Sequence, residues 1–167
     1  EIEGRTFRGI HELAASRYAD RIELEAYEES GAWTDPGPIA SIGWVEAILE
    51  SAIKEGVPKD KLFVGTSHSA HDWIRGSENR FVNDGTARLA LELASRTGAT
   101  IEWDDDSQAS HFTYRDRHGR THIVWLEDAP SFRAKLELAK SYGLPGLFIW
   151  YIGEEDPKIW EALQVKE

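Results

Sequence analysis

A short run of alternating residues carries the first candidate chemistry in this chain. Glu23, Glu25 and Tyr27 are separated by apolar residues, so a strand through them would place two carboxylates and a phenol on one face. A carboxyl group that is shielded from water can act as a general acid or base near neutral pH. The sequence therefore predicts an acid–base site here, and carboxylates that only solvate an exposed strand are the alternative.

Three histidines form a second group. His68 and His71 are spaced His-x-x-His in a segment that we expect to be a loop, and His111 follows further along the chain. With Glu25, their imidazole nitrogens suit zinc or another transition metal, and three such ligands with an open position would form a hydrolytic site. We expect no cofactor and two exposed loop histidines with no special role; a metal site at His68, His71 and His111 is the alternative.

The composition limits the class of partner. The formal charge of −11 over 167 residues disfavours a phosphate backbone as ligand, because such binding relies on clustered Lys and Arg, so a neutral sugar polymer or small molecule fits better. The chain has no Cys, which excludes disulfides and thiolate chemistry. No apolar run approaches the roughly 18 residues of a membrane span, and we expect a soluble chain. It begins at Glu1 and lacks Met, which predicts a trimmed product or a piece of a larger polypeptide.

Apolar periodicity predicts an α/β fold. Short buried runs are typical of strands, and residues at helical spacing separate them, which is the unit of a parallel sheet. Between 77 and 128 the pattern predicts a small α+β insertion, with a helix over 87–96 and strands over 100–103, 111–115 and 121–126. The predicted parallel strands are 21–26, 62–66 and 147–152, and the predicted segments are 1–76, 77–128 and 129–167.

Three stretches carry a resemblance to a known family. The run Gly-Pro-Ile-Ala-Ser-Ile-Gly-Trp-Val-Glu at 37–46, the strand at 61–65 and the run His-Asp-Trp at 71–73 resemble the C-terminal half of family 18 glycoside hydrolases. The similarity is greatest to the spore-germination and cortex-lytic N-acetylglucosaminidases, and it covers about residues 7–160. It implies a partial (β/α)8 TIM barrel that contributes the C-terminal strands six, seven and eight, with the α+β insertion before the last strand.

The resemblance also implies roles for single residues. Tyr27 matches the tyrosine that orients the substrate's N-acetyl group, and Trp150 matches the tryptophan that forms the floor of the sugar site. Glu25 stands where the family has Met, and Glu28 where it has Asp. The predicted catalytic residues are therefore Glu25, Tyr27 and Glu28, and the predicted substrate-binding residues are Trp150, Tyr151, Asp72, Trp73, His68 and His71.

Two departures from the family pattern bear on activity. The family's Asp-x-x-Asp-x-Asp-x-Glu motif, which carries the catalytic acid, occurs nowhere in these residues. Where the family has Ile-Pro-x-Tyr-Gly-Tyr-Asp-Trp, residues 66–73 read Thr-Ser-His-Ser-Ala-His-Asp-Trp, so Ser and His replace aromatic groove residues. Glu25 is the best local substitute for the acid, and hydrolysis stays an open question at this point.

These features predict a family 18-like module that acts on N-acetylglucosamine-containing glycans such as peptidoglycan or chitin-like chains. If the protein follows the family, it is extracellular or spore-associated. The alternatives are a non-catalytic sugar-binding or self-assembling half barrel, and an engineered half barrel with a new His/Glu site. Three parallel strands leave an open edge and an apolar face. We therefore expect a complementary half barrel or a second copy of the chain, in a homodimer, as partner, and neither nucleic acid nor membrane.

Overall fold

The computed structural model describes residues 12–76 and 80–163 of the chain. No helix within these two ranges is long and apolar enough to span a bilayer. The elements follow one another as α1 (Glu12–Ser16), β1 (Ile22–Leu24), α2 (Ile42–Lys54), β2 (Leu62–Ser67), β3 (Ser69–Ile74), β4 (Arg80–Thr86), α3 (Ala87–Thr97), β5 (Glu102–Asp104), β6 (Ala109–Arg115), β7 (Thr121–Leu126), α4 (Ala129–Ser141), β8 (Gly146–Trp150) and α5 (Ile159–Ala162).

Three strands form a parallel sheet in the order β1-β2-β8. The register pairs Leu24 with Val64 and Val64 with Leu147. This confirms the predicted α/β fold. β1 is shorter than the predicted strand 21–26, because the Ala26 N–H turns back to the Leu24 carbonyl at 2.9 Å and ends the ladder.

One face of the parallel sheet is covered by helices. Leu62 and Val64 are fully buried there against Val45 and Leu49 of α2. The helix begins where the Ser41 hydroxyl accepts a hydrogen bond from the Trp44 N–H, which satisfies one of the donors that a helix start leaves free. Because side chains alternate along a strand, Phe63, Gly65 and Phe148 lie on the opposite face, which we call the open face.

Five further strands form an antiparallel sheet in the order β4-β3-β7-β6-β5. Helix α3 packs Ala90 and Ala94 against Phe112, Val124 and Leu126 on one face of this sheet. Sequential antiparallel strands with one packed helix are the α+β arrangement that the pattern predicts, and β6 and β7 lie where strands are expected.

Two strands of the antiparallel sheet were not predicted. β3 covers a segment expected to be a loop, and β4 contains Asn-Asp-Gly, which is typical of a turn. Both are strands because each is paired along its length: β3 lies between β4 and β7. The sheet therefore begins at Ser69, before residue 77, and the division into 1–76, 77–128 and 129–167 stays a prediction.

Gly65 gives a test of this packing. A Cβ atom at this position would lie 2.7 Å from the Leu24 carbonyl oxygen and would also meet the ring of Phe148. We expect Gly65→Ala to lower the free energy of unfolding by about 1–3 kcal/mol, measured by urea denaturation. The matched control is Gly43→Ala in α2, where a Cβ meets nothing within 4 Å, and it should leave stability unchanged or raise it. A Gly65→Ala variant as stable as the wild type would contradict the packing.

Candidate functional site

The carboxyl ends of the three parallel strands meet at one edge of their sheet, and the candidate site lies there. Tyr27 follows β1, His68 follows β2, and Trp150 is the last residue of β8. The register pairs Ser67 directly with Trp150. Residues at the carboxyl ends of parallel strands carry the chemistry in many α/β proteins. We call this edge, with the rings that follow it, the carboxyl edge.

Glu25 and Tyr27 are brought together at the carboxyl edge. Tyr27 is half-buried, whereas Glu25 is exposed. Burial, followed by the charge of Glu25 and a hydrogen bond to it, raises the pKa of Tyr27 above its usual range. The phenol therefore keeps its proton and acts as a hydrogen-bond donor. Glu28 is exposed and has a φ of 66°, in the left-handed region that few non-glycine residues adopt.

Trp150 and Tyr151 place two aromatic rings at the same edge. They are 57% and 55% exposed, and their ring centroids lie 6.3 Å apart at an interplanar angle of 87°. Large rings of this kind offer a broad apolar face with a polar tip, which suits an amphipathic ligand such as a sugar. A cleft of about 340 Å³ runs beside them and is lined by Trp150, Tyr151, His68, Ser69, Asp84, Gly85, Thr86, Leu89 and Glu154.

An ion pair holds the segment that follows these two rings. Both Arg88 guanidinium contacts to Glu154 are short: Nη2 lies 2.9 Å from Oε1 and 2.7 Å from Oε2. The Thr86 hydroxyl also donates to Glu154 Oε2 at 3.2 Å. One guanidinium nitrogen thus bridges both carboxylate oxygens, and the Arg88 backbone N–H adds a bond to the Glu154 carbonyl at 3.2 Å. The start of α3 thus holds the segment that follows β8 against one wall of the cleft.

Asp72 and Trp73 do not line the cleft beside the exposed rings. The Asp72 carboxylate accepts a hydrogen bond from the Tyr114 hydroxyl at 2.8 Å and lies 2.8 Å from Nδ1 of the buried His122. Trp73 is fully buried, with Phe81 packed against its ring at 5.4 Å. A ring without an accessible face cannot stack on a sugar, so the arrangement does not support direct substrate contact by Trp73.

The histidines are not the exposed loop residues that the sequence led us to expect, and that expectation is wrong. His71 is 1% exposed because it belongs to β3, where Nδ1 lies 2.8 Å from the Ser30 carbonyl and Nε2 lies 3.1 Å from Asp84. His68 is buried as well, and neither of its ring nitrogens has a hydrogen-bond partner among the described residues. Burial lowers the pKa of His68, and nearby Glu155 and Asp156 oppose that shift only in part.

The structure also keeps His111 apart from the other two histidines. Its ring packs on Trp125 with a centroid distance of 4.6 Å, and the register places Trp125 between His111 and His71. His111 and His71 are therefore two strand spacings apart, which is about 10 Å. Within residues 12–76 and 80–163, no group of three or more His, Asp or Glu side chains is placed to hold a metal ion, so the arrangement does not support the metal-site alternative.

Sequence reasoning missed a buried ion pair beneath the carboxyl edge. Lys135 Nζ lies 2.8 Å from Glu127 Oε2, and both side chains are almost wholly excluded from solvent. Burial raises the pKa of Glu127, and the charge of Lys135 opposes that rise. The missed signal is that Lys135 stands three residues after Phe132 and four before Ala139, in the apolar stripe of α4.

Burial of His68 generates a prediction for pH dependence. Its folded pKa lies below the unfolded value of about 6.5, so the unfolded state takes up the proton first as the pH falls. The neutral His68 side chain therefore contributes to the free energy of unfolding above about pH 6.5. This contribution is lost below that pH, by at most about 1.4 kcal/mol per pH unit. Urea denaturation at pH 7.5 and 5.5 should show a smaller loss for His68→Phe than for the wild type.

The matched control for this measurement is His118→Phe, because His118 is exposed on the β6–β7 hairpin. Glu127 and Asp128 also have raised pKa values, and because neither variant changes these residues, we expect their contribution to cancel in the comparison. Equal losses in the wild type and His68→Phe would show that the buried imidazole does not resist protonation.

Comparisons with known proteins place the chain in a family. Residues 5–155 match the family described as "Glycosyl hydrolases family 18". The chain is 31% identical over 166 residues to the cortical fragment-lytic enzyme of Bacillus subtilis, covering 96% of this chain and 38% of that protein. It is 27% identical over 154 residues to the uncharacterized glycosylase YvbX of the same organism, covering 89% of this chain and 42% of that protein.

Solved structures agree with the sequence match. The spore cortex-lytic enzyme SleL of Bacillus cereus superposes with a TM-score of 0.82 at 30% identity, covering 91% of this chain and 35% of that one. A chitinase from Chromobacterium violaceum gives a TM-score of 0.80 at 30% identity, and the match covers 91% of this chain and 47% of that one. The chain thus spans less than half the length of each of these relatives. The match over residues 5–155 nevertheless covers most of it, and the chain belongs to glycosyl hydrolases family 18.

Proposed function

We propose that this chain forms the C-terminal strands of a (β/α)8 barrel that acts on glycans containing N-acetylglucosamine, such as peptidoglycan or chitin-like chains. The observation that carries the proposal is the meeting of the Glu25–Tyr27 pair and the exposed Trp150–Tyr151 rings at one edge of a parallel sheet. The names of similar proteins support it, because they include cortical fragment-lytic enzymes, chitinases and di-N-acetylchitobiases.

The geometry suits substrate-assisted cleavage. In that reaction an acid protonates the leaving oxygen while the acetamide group of the sugar attacks the anomeric carbon. A phenol that keeps its proton can orient the acetamide through a hydrogen bond, and the pKa of Tyr27 is raised. Its one O–H bonds to Glu25 in the free chain, so it would turn to the acetamide when the sugar binds. The exposed ring of Trp150 offers a face on which the sugar can lie.

Glu25 is the carboxyl group of this chain that we assign to proton donation. A general acid works best with a pKa near the operating pH, which requires shielding from water. Glu25 is exposed on this chain alone, next to the open face. Closure of the barrel by a complementary segment, or by a second copy of the chain, would cover the open face and shield this carboxyl group.

The binding part of the proposal predicts a loss on removal of the exposed ring. Trp150→Ala should weaken binding of an N-acetylglucosamine tetramer at least tenfold, because the apolar face of the sugar loses its platform. The measurement is isothermal titration calorimetry on the whole chain. The control is Trp103→Ala, since Trp103 is 40% exposed on β5, the strand at the outer edge of the antiparallel sheet, and its loss should leave the affinity unchanged. Equal affinities for Trp150→Ala and the wild type would argue against the site.

Turnover provides a separate prediction. Products from the same tetramer are followed by mass spectrometry, and we expect Glu25→Gln to abolish cleavage and Tyr27→Phe to slow it about 100-fold. Tyr18→Phe is the matched control, because Tyr18 is 92% exposed. Binding without cleavage in the wild type would reduce the role of this chain to glycan binding. Cleavage that survives in Glu25→Gln would assign the acid to another group.

A further inference from the structure

Five arginines lie at one end of the antiparallel sheet. The register pairs Ile74 with both Arg80 and His122, and Arg115 with Thr121, so the ends of β3 and β6 and the starts of β4 and β7 meet there. Arg75 continues β3 with an N–H bond to the Thr121 carbonyl at 2.8 Å. We call this region the arginine end; it consists of Arg75, Arg80, Arg115, Arg117 and Arg120.

The charge of the arginine end is accessible, and most of it has no carboxylate partner within the part of the chain that the structure describes. All five side chains are exposed. Arg120 Nη2 lies 2.6 Å from Asp116 Oδ2. Arg115 donates a hydrogen bond to the Gly119 carbonyl, and Arg117 donates one to the His118 ring. Among residues 12–76 and 80–163, no carboxylate lies within 4 Å of the guanidinium groups of the four arginines other than Arg120. Four cationic groups are therefore available to an anionic ligand.

The hairpin that carries three of the arginines is held in one shape. Asp116 Oδ1 accepts hydrogen bonds from the N–H groups of His118 and Arg120, both at 2.9 Å. Gly119 has a φ of 78°, which a residue with a side chain rarely adopts. A fixed loop loses little entropy when a ligand binds, and guanidinium groups suit carboxylates and phosphates because they offer two parallel donors.

The surroundings favour one class of anionic ligand. The whole chain carries a formal charge of −11, so a uniformly charged polymer such as a nucleic acid would be repelled outside the arginine end. A glycan with spaced anionic groups is not repelled in this way, because its neutral sugars can lie over the acidic surface. β3 begins at Ser69 beside the carboxyl edge, so the arginine end is about 20 Å away along the strand, within reach of a chain of several sugars.

We propose that the arginine end binds carboxylate or phosphate groups on the same glycan that occupies the carboxyl edge, an inference that rests on the proposed function. The natural ligand is then an anionic glycan rather than a neutral one. The arginines act as an electrostatic contact remote from the reacting sugar, and they raise affinity without taking part in cleavage.

The test compares two hexasaccharides by calorimetry. One is the neutral N-acetylglucosamine hexamer, and the other alternates N-acetylglucosamine with N-acetylmuramic acid and carries free carboxylates. At low salt the wild type should bind the anionic hexamer about tenfold more tightly, and high salt should remove the difference. A variant with Arg75→Gln, Arg80→Gln and Arg117→Gln should lose this advantage and bind the neutral hexamer as the wild type does.

The control variant carries Arg17→Gln, Lys54→Gln and Arg96→Gln, three exposed residues outside the arginine end, and has the same net charge as the test variant. It should keep the advantage for the anionic hexamer. An equal loss in this control, or no advantage in the wild type, would overturn the proposal. Poly(glycerol phosphate) is the phosphate probe: if the anionic hexamer shows its advantage, arginine-dependent binding of this probe would extend the contact to phosphate groups, and absence of such binding would restrict it to carboxylates.

Two outcomes separate this inference from the proposed function. If the neutral hexamer binds and the anionic one gains nothing, the arginine end fails and the glycan site stands. If the neutral hexamer does not bind but an anionic probe binds through the arginines, the arginine end stands and the glycan site fails. A single-stranded oligonucleotide that binds the arginine end as tightly as the anionic hexamer would contradict the assignment to a glycan.

Discussion

One residue, His68, joins the two sheets, and the candidate site depends on its backbone hydrogen bonds. β2 ends at Ser67 and β3 begins at Ser69, so the chain passes from the parallel to the antiparallel sheet across a single residue. The His68 N–H donates to the Trp150 carbonyl at 3.2 Å, and the His68 carbonyl accepts from the Ala87 N–H at 2.7 Å. These bonds fix the end of β8 and the start of α3 relative to each other, and the cleft lies between them.

Several contacts keep the exposed rings in place from behind. Asp156 is buried and accepts the Ala129 N–H at 3.1 Å, which ties the segment after β8 to the start of α4. Arg88 holds the same segment through Glu154. Rings that are held in place in this way are preorganised, as the glycan site that we propose requires. The segment after β8 is thus tied to the starts of both α3 and α4.

Sequence reasoning predicted the parts of the fold that local patterns determine. The apolar runs of β2 and β8 and the helical spacing of α2 predicted the parallel sheet, although β8 is only partly buried and ends at Trp150, before the predicted residue 152. The resemblance carried by residues 37–73 agreed with the family match. It could not predict β3 and β4, because their polar sequences are strands only through pairing with each other and with β7. The same pairing buries His71, so its loop assignment failed for the same reason. The catalytic assignments of Glu25, Tyr27 and Glu28 stay predictions.

The central claim is that a glycan binds at the carboxyl edge, and NMR titration tests it most directly. An N-acetylglucosamine tetramer is added to the isotope-labelled chain, and backbone amide and indole shifts are followed. If the glycan binds there, we expect saturable changes at Tyr27, His68, Trp150 and Tyr151, including the Trp150 indole N–H. Changes confined to the groove on the outer side of α4, which Trp103 and Arg133 line in part, would contradict binding at the carboxyl edge. The absence of any change at Tyr27, His68, Trp150 and Tyr151 would contradict it as well.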